Sequence, residues 1–284
     1  MKKIKVGIIG VGNCAKSIVE GVQYYNENPN DNVGLMYPKI GGYVSSDVEF
    51  VIGFDVDRRK VNKPLVEALR ASPNCAMDHV AEILETGGNS PGAVAKGAMV
   101  YSSPTLDGVA EWMEYYPEEV SFRTGAEAAK SFDDIVDLVK KSDTEVLVNY
   151  LPVGSEKATR FYIDVALKAG VHFVNCIPTI IETKETQKIE QRFTDAGLSS
   201  VGSDMRSAWG ASRLSEVLQG AMIDGGLHVT YHTQTNRIGG ATQGKEHVRS
   251  GVTSNTDFIN MAEKERLHNK HISKENVLKG QNTV

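Results

Sequence analysis

Hydrophobic and polar positions alternate along the first two thirds of the chain between two periods. Lys5 to Ile9 is a short apolar run, as a strand buried on both faces requires. Ala15 to Tyr25 follows with Ile18, Val19 and Val22 at helical spacing. A loop rich in Asn, Pro and Gly separates this helix from a second apolar run, Val48 to Phe54. Further on, Ile135, Val136 and Val139 predict a helix over Phe132 to Lys141, and Val146 to Val148 predicts a strand. Glu156 to Ala169 predicts a helix stopped by Gly170, and Val171 to Val174 another strand. Lys184 to Ala196 completes the series as a helix closed by Gly197, before a short strand over Leu198 to Val201.

Strands alternating with helices of this length imply right-handed βαβ units and a parallel sheet. Two segments break the pattern. Ala76 to Val120 is rich in Gly, Ser and Pro and reads as an irregular connection. Beyond Gly202 the alternation ends: Ser212 to Met222 looks helical, and Leu227 to Thr235 looks like a strand of another sheet. The fold class expected is α/β, a Rossmann-type doubly wound parallel sheet, with a second α+β domain. The boundary falls between 203 and 204, so that residues 1–203 form the first domain and 204–284 the second.

Composition changes this picture little. A hydrophobic fraction of 40% and a charged fraction of 24% are ordinary for a globular protein. With 31 basic against 36 acidic residues, the net charge of −5 gives no reason to expect nucleic acid. No stretch approaches the ~18 apolar residues of a membrane span. Cys14, Cys75 and Cys176 are odd in number and far apart, which fits a reduced, cytoplasmic setting.

The chemistry begins at Gly10-Val11-Gly12-Asn13-Cys14-Ala15, directly between the first strand and the first helix. The first glycine permits a tight turn and the second lets backbone approach a pyrophosphate. Ala15 permits close helix–strand contact. The free amides and partial positive charge of the helix N-terminus then face the phosphates. An acidic residue ~20 positions further on ordinarily binds the adenosine ribose. The candidate here is Asp55, delayed by the inserted loop. A carboxylate there repels a 2′-phosphate, so the pattern selects NAD over NADP.

Other candidates are weaker. Pro152 and Ser155 lie in the loop after the Val146 strand, where open α/β sheets bind ligands. Ser155 can cap the next helix, touch the cofactor, or do both. His228 and His232 have no third ligand at suitable spacing and read as structural or surface residues. His268 and His271 read the same way. Lys270 and Lys274 share one face if that segment is helical. Such a face is either a solvated basic surface or a seat for an anion.

Several of these stretches together resemble myo-inositol-1-phosphate synthase of the shorter bacterial and archaeal type. The matching segments are Val11–Ala15, Glu20–Tyr25, Phe54–Asp57, Pro104–Gly108, Tyr150–Ser155, Phe193–Gly197, and Asn255-x-Asp257-Phe258 with the lysines that follow. The resemblance implies a homotetrameric cytoplasmic isomerase of inositol and phospholipid biosynthesis. Its substrate would be D-glucose 6-phosphate and its product 1L-myo-inositol 1-phosphate. In that family the open-chain sugar is oxidised at C5, loses a proton from C6, closes onto C1 and is reduced again, with NAD regenerated each turnover. A divalent cation is a further possible cofactor; the residues suggest no metal ligands.

By resemblance, Lys270 and Lys274 would hold phosphate and balance oxyanion charge, with Asp257 orienting a lysine. Asp204 would lie at the cofactor. The family's usual Gly-Asp-Asp-x-Lys-Ser reads Gly202-Ser203-Asp204-Met205-Arg206-Ser207 here, and Arg237 to Ser254 looks like an insertion. The family also continues well past the position of Lys274, with further second-domain residues. Two other expectations stand beside the synthase: a different NAD-dependent dehydrogenase, and a shortened NAD-binding subunit without activity of its own.

Overall fold

The computed structural model describes residues 3–74, 76, 78, 94–109, 117–118, 123–125, 129–152, 154–177, 187–202, 211–228, 235–237 and 281–283. Six parallel strands form one sheet: β1 (Ile4–Ile9), β2 (Val48–Asp55), β3 (Met99–Ser102), β4 (Val146–Asn149), β5 (His172–Asn175) and β6 (Ser200–Val201). Their spatial order is β3-β2-β1-β4-β5-β6. The chain therefore winds outward from β1 in one direction, returns, and winds outward in the other. This doubly wound order has its switch point between β1 and β4.

The helices of this body are α1 (Asn13–Glu27), α2 (Leu65–Arg70), α3 (Phe132–Lys141), α4 (Glu156–Ala169) and α5 (Gln187–Asp195). They divide between two apolar layers. Ala15, Val19 and Val22 of α1 pack with Leu65, Val66 and Leu69 of α2 against Ile8, Phe50 and Val100. On the other layer, Ile135 and Val139 of α3, Tyr162 and Ile163 of α4, and Phe193 of α5 pack against Ile9, Phe54 and Phe173. Each large side chain buried this way contributes about 1.5–3 kcal/mol. Because β1 and β2 alternate between layers, Ile8 and Ile9 serve opposite cores, and the continuous apolar runs seen in the sequence follow from that.

Three differences from expectation stand out. The stretch read as irregular contains β3, whose Met99-Val100-Tyr101 run is too short to rise above its Gly- and Ser-rich surroundings. The short α2 was not legible either. The strand expected over Leu227 to Thr235 is not found where it can be seen: Leu227 and His228 are not strand, and residues 229–234 lie outside the described residues. A strand begins at Thr235 instead. That strand, β7 (Thr235–Arg237), pairs in parallel with β8 (Gln281–Thr283), apart from the main sheet. A last helix, α6 (Ala211–Asp224), precedes them. Among the described residues, no helix is long and apolar enough to cross a membrane.

α3 starts with a reciprocal cap. Ser131 Oγ accepts from the Asp134 amide at 3.2 Å, and the Asp134 carboxylate accepts from the Ser131 amide at 3.1 Å. The Ser131 hydroxyl also donates to that carboxylate at 2.7 Å; this bond first, and the one from the Ser131 amide second, hold the Asp134 carboxyl below its ordinary range. Replacing Ser131 by Ala is expected to cost about 1 kcal/mol in denaturant unfolding. A depressed folded pKa stabilises above the unfolded value and stops doing so as pH falls through the folded one. The gap in denaturation midpoint between the parent and Asp134→Ala should therefore be full at neutral pH. It should close as pH drops below about 4.

Candidate functional site

The C-terminal ends of β1, β2, β4 and β5 converge on one edge, and the sequence candidates that are described lie along it. Gly10 follows β1 with φ +86°. A Cβ there would meet the Tyr150 carbonyl carbon and oxygen at 2.9 Å. The turn thus needs glycine for both conformation and space, because the loops after β1 and β4 touch backbone to backbone. Gly12 differs. A Cβ there would meet nothing within 4 Å, so this position opens onto free space. The carbonyl of Gly12 accepts from the Lys16 amide at 3.0 Å, starting α1. Gly12, the residue before the helix, has no side chain with which to cap it, and the first turn holds no acidic residue. The positive end of the helix dipole therefore lies at this turn with no helix carboxylate to offset it.

Asp55, at the end of β2, is where the sequence placed it, with its carboxylate pinned by backbone. One oxygen accepts from the Val11 amide at 2.8 Å, and the other from the Val56 and Asp57 amides at 2.8 Å each. Lys60 Nζ stands 3.8 Å away. A carboxylate offers about four acceptor directions, so three amides leave room for one further donor. Asp55 thus shapes the turn as well as facing the edge.

A strap that the sequence reading missed lies across the same turn. Asn74 donates to the carbonyls of Val11 at 3.1 Å and Leu69 at 3.0 Å, and accepts from Lys60 at 2.9 Å. The Ala76 amide donates to the Asn13 side chain at 2.9 Å. Lys16, nearly buried on α1, donates to the Ala76 carbonyl and pairs with Asp78. These oxygen partners offset part of the cost of burying its ammonium group. Its signal in the sequence was slight: one polar residue on the apolar side of a helix.

Cys14 sits in the first turn of α1. The residue as a whole is exposed, yet neighbouring atoms crowd its sulfur and push the thiol up from its ordinary range. Ala15 is fully buried under the turn. Tyr150, after β4, has its hydroxyl paired with Cys176 and close to Cys14; burial first, and these thiols second, push its pKa upward. The phenol stays protonated at neutral pH.

Buried asparagines fix the loops after β4 and β5. Asn149 donates to Asn175 Oδ1 at 2.9 Å and to Thr159 Oγ1 at 3.1 Å, and accepts from the Leu151 amide. Asn175 donates to the Ile177 carbonyl. Pro152 is half-buried beyond this pair. Ser155 is the residue before α4, yet its hydroxyl makes no cap bond. Asp107 caps that helix instead, from the turn after β3.

Asp204, Asp257, Lys270 and Lys274 lie outside the described residues. The structure thus brings together Gly10, Gly12, Asn13, Cys14, Ala15 and Asp55, with Pro152 and Ser155 on the loop that meets the turn. Among the described residues, no group of His, Cys, Asp and Glu could hold a metal ion. His228 is exposed, and His232, His268 and His271 are not described.

Strand order and the glycine turn define a Rossmann-type α/β fold. Solved structures agree: the chain superposes on Ari2 with a TM-score of 0.70 at 25% identity, covering all of this chain and 72% of that one. It superposes on a myo-inositol-1-phosphate synthase-related protein from Thermotoga maritima with a TM-score of 0.65 at 15% identity, covering 99% and 74%.

The sequence comparison is more specific. The chain is 39% identical over 274 residues to a Mycolicibacterium smegmatis protein named inositol-3-phosphate synthase, and 38% identical over 274 residues to one from Mycobacterium tuberculosis. A Corynebacterium glutamicum protein of the same name is 38% identical over 273 residues. These alignments take in 95–96% of this chain and 65–66% of each relative. The chain spans about 65% of the length of the curated relatives it matches. No protein-family model matches. The chain is homologous, along nearly all its length, to proteins named inositol-3-phosphate synthase, as its motifs led us to expect.

The two glycines of the turn separate fold from site. Gly10→Ala is expected to cost about 2–4 kcal/mol in equilibrium unfolding, from left-handed strain plus a backbone clash. Gly12→Ala, with extended backbone and open space, should stay within about 0.5 kcal/mol of the parent.

Proposed function

We propose that this chain is the NAD-binding and catalytic part of an inositol-3-phosphate synthase, isomerising D-glucose 6-phosphate to 1L-myo-inositol 1-phosphate. The observation that carries the reading is the 38–39% identity to proteins of that name over 274 residues. The geometry of the turn supports the cofactor. Gly12 leaves open space at the α1 N-terminus, and Asp55 stands pinned at the β2 end with acceptor capacity to spare. That pairing fits a pyrophosphate at the α1 amides and a ribose hydroxyl at Asp55. The carboxylate disfavours a 2′-phosphate, so NAD is the form that fits.

When bound, NAD supplies a reversible two-electron exchange at the sugar. The remaining work belongs to the chain. Gly10, Gly12, Asn13, Cys14 and Ala15 form the phosphate turn, and Asp55 orients the adenosine half. Pro152 and Ser155 border the far half, with Asp204 nearby in our assignment. Lys270 and Lys274 hold the substrate phosphate and offset negative charge developing on the sugar oxygens. Asp257 orients one of these lysines. Residues 1–203 form the nucleotide domain, and residues 204–284 belong to a catalytic and assembly domain. We expect a cytoplasmic homotetramer. Whether a divalent cation assists is decided by activity after chelation.

Incubation of the purified protein with glucose 6-phosphate and a catalytic amount of NAD should yield inositol phosphate without net NADH. Absence of product, including with the C-terminal third of a relative supplied separately, overturns the synthase reading. Stoichiometric NADH release with an alcohol substrate would favour an ordinary dehydrogenase. Gly12→Ala should weaken NAD binding at least tenfold in calorimetry while the protein stays folded, because the new methyl fills the space the pyrophosphate needs. Lys270→Ala or Lys274→Ala should lower kcat by about 100-fold or more, with NAD affinity unchanged.

A further inference from the structure

Two helices open toward the same edge of the sheet, and their N-termini are treated in opposite ways. α1 is preceded by Gly12, which has no side chain to cap it, and has no acid in its first turn. α4, 14 residues long, carries Glu156 in its first turn. Its leading amides are already taken: Asp107 accepts from the Lys157 amide at 2.6 Å and from the Ala158 amide at 3.1 Å, one oxygen each. Two oxygens of one anion on two successive helix amides is the arrangement a phosphate group adopts at such an end. The carboxylate comes from far away in sequence, on the turn after β3.

A second observation marks the same place. Ser155, which precedes α4, is fully buried, and its hydroxyl has no hydrogen-bond partner among the described residues. A buried hydroxyl left unpaired is destabilising. What covers it is the backbone of Gly108, adjoining Asp107. A Cβ on Gly108 would come within 2.0 Å of Ser155 Oγ, and φ there is +75°. Asp107 fills the anion position and Gly108 closes over the hydroxyl.

We propose that the N-terminus of α4 is an anion site held shut by the chain's own Asp107. On this assignment Asp107 is a specificity-determining residue that confines dinucleotide phosphates to α1. The proposal rests on the reading of α1 as the phosphate helix. Without Asp107, the α4 amides and Ser155 Oγ would present a second seat for a phosphate on the same edge. With it, the Asp107 carboxylate occupies those amides and repels anions there. The ligand class excluded is a phosphate or pyrophosphate group.

The test is calorimetric titration of the full chain with inorganic pyrophosphate at low ionic strength, where such electrostatics are least screened. The parent should bind one equivalent. Asp107→Ala should bind a second, and adding Ser155→Ala should weaken that second site several-fold. Asp107→Asn keeps a neutral cap while removing the charge, so it guards against loss of folding; it should show the second site with lower affinity than Asp107→Ala. If the parent binds none and the variants bind one, the closure of α4 stands and the reading of α1 falls. If the folded variants bind the same number as the parent, whether one or none, the proposal is overturned.

Discussion

Everything at this edge depends on the bond between the Asp55 carboxylate and the Val11 amide. The two residues are 44 apart in sequence and 2.8 Å apart in space. That bond ties the end of β2 to the turn after β1, and the same carboxylate gathers the amides of Val56 and Asp57. A turn of glycines has many conformations available and would lose entropy on ordering around a ligand. Here a charge-assisted bond orders it beforehand. Asn74 holds the Val11 carbonyl from the other side, so both polar groups of that peptide neighbourhood are spoken for. The remaining free feature is the open space at Gly12.

This arrangement explains why some of the site was legible in sequence and some was not. Gly10, Gly12 and Asp55 could be read because a strand and a helix at fixed places give a glycine pattern its meaning. Their places follow from local backbone geometry, which short-range sequence encodes. Asn74, Lys16 and Asp107 act on backbone groups dozens of residues away, and no periodicity announces such bonds. Ser155 shows the limit well. A serine before a helix invites the reading of a cap, yet the structure gives the cap to Asp107, because the turn after β3 crosses to the same helix end. The Pro104–Gly108 stretch was noticed only as part of a resemblance; its contact with the Tyr150–Ser155 stretch needed the fold.

The fold itself was legible in its alternating core. Continuous apolar runs marked β1, β2, β4 and β5, because each is covered on both faces. β3 escaped notice because it has four residues and is flanked by a polar connection. Its neighbours in the sheet supply the information that its own sequence lacks: Val100 fills a place in the α1–α2 layer, beside Gly53 of β2.

Electrostatics then gives the edge a direction. The α1 end has no acid in its first turn and Gly12 before it. The α4 end is occupied by the Asp107 carboxylate on its leading amides. Helix dipoles alone would make the two ends equivalent, each attracting an anion by a comparable 0.3–1 kcal/mol or so. A dinucleotide has phosphates near its middle and an uncharged ribose at either side of them. On the proposed reading, a carboxylate on the α4 amides and none at α1 favours the orientation in which phosphate meets the α1 end and ribose meets Asp55. The asymmetry resides in side chains that the fold brings together, not in the parallel sheet, whose strand ends are otherwise alike.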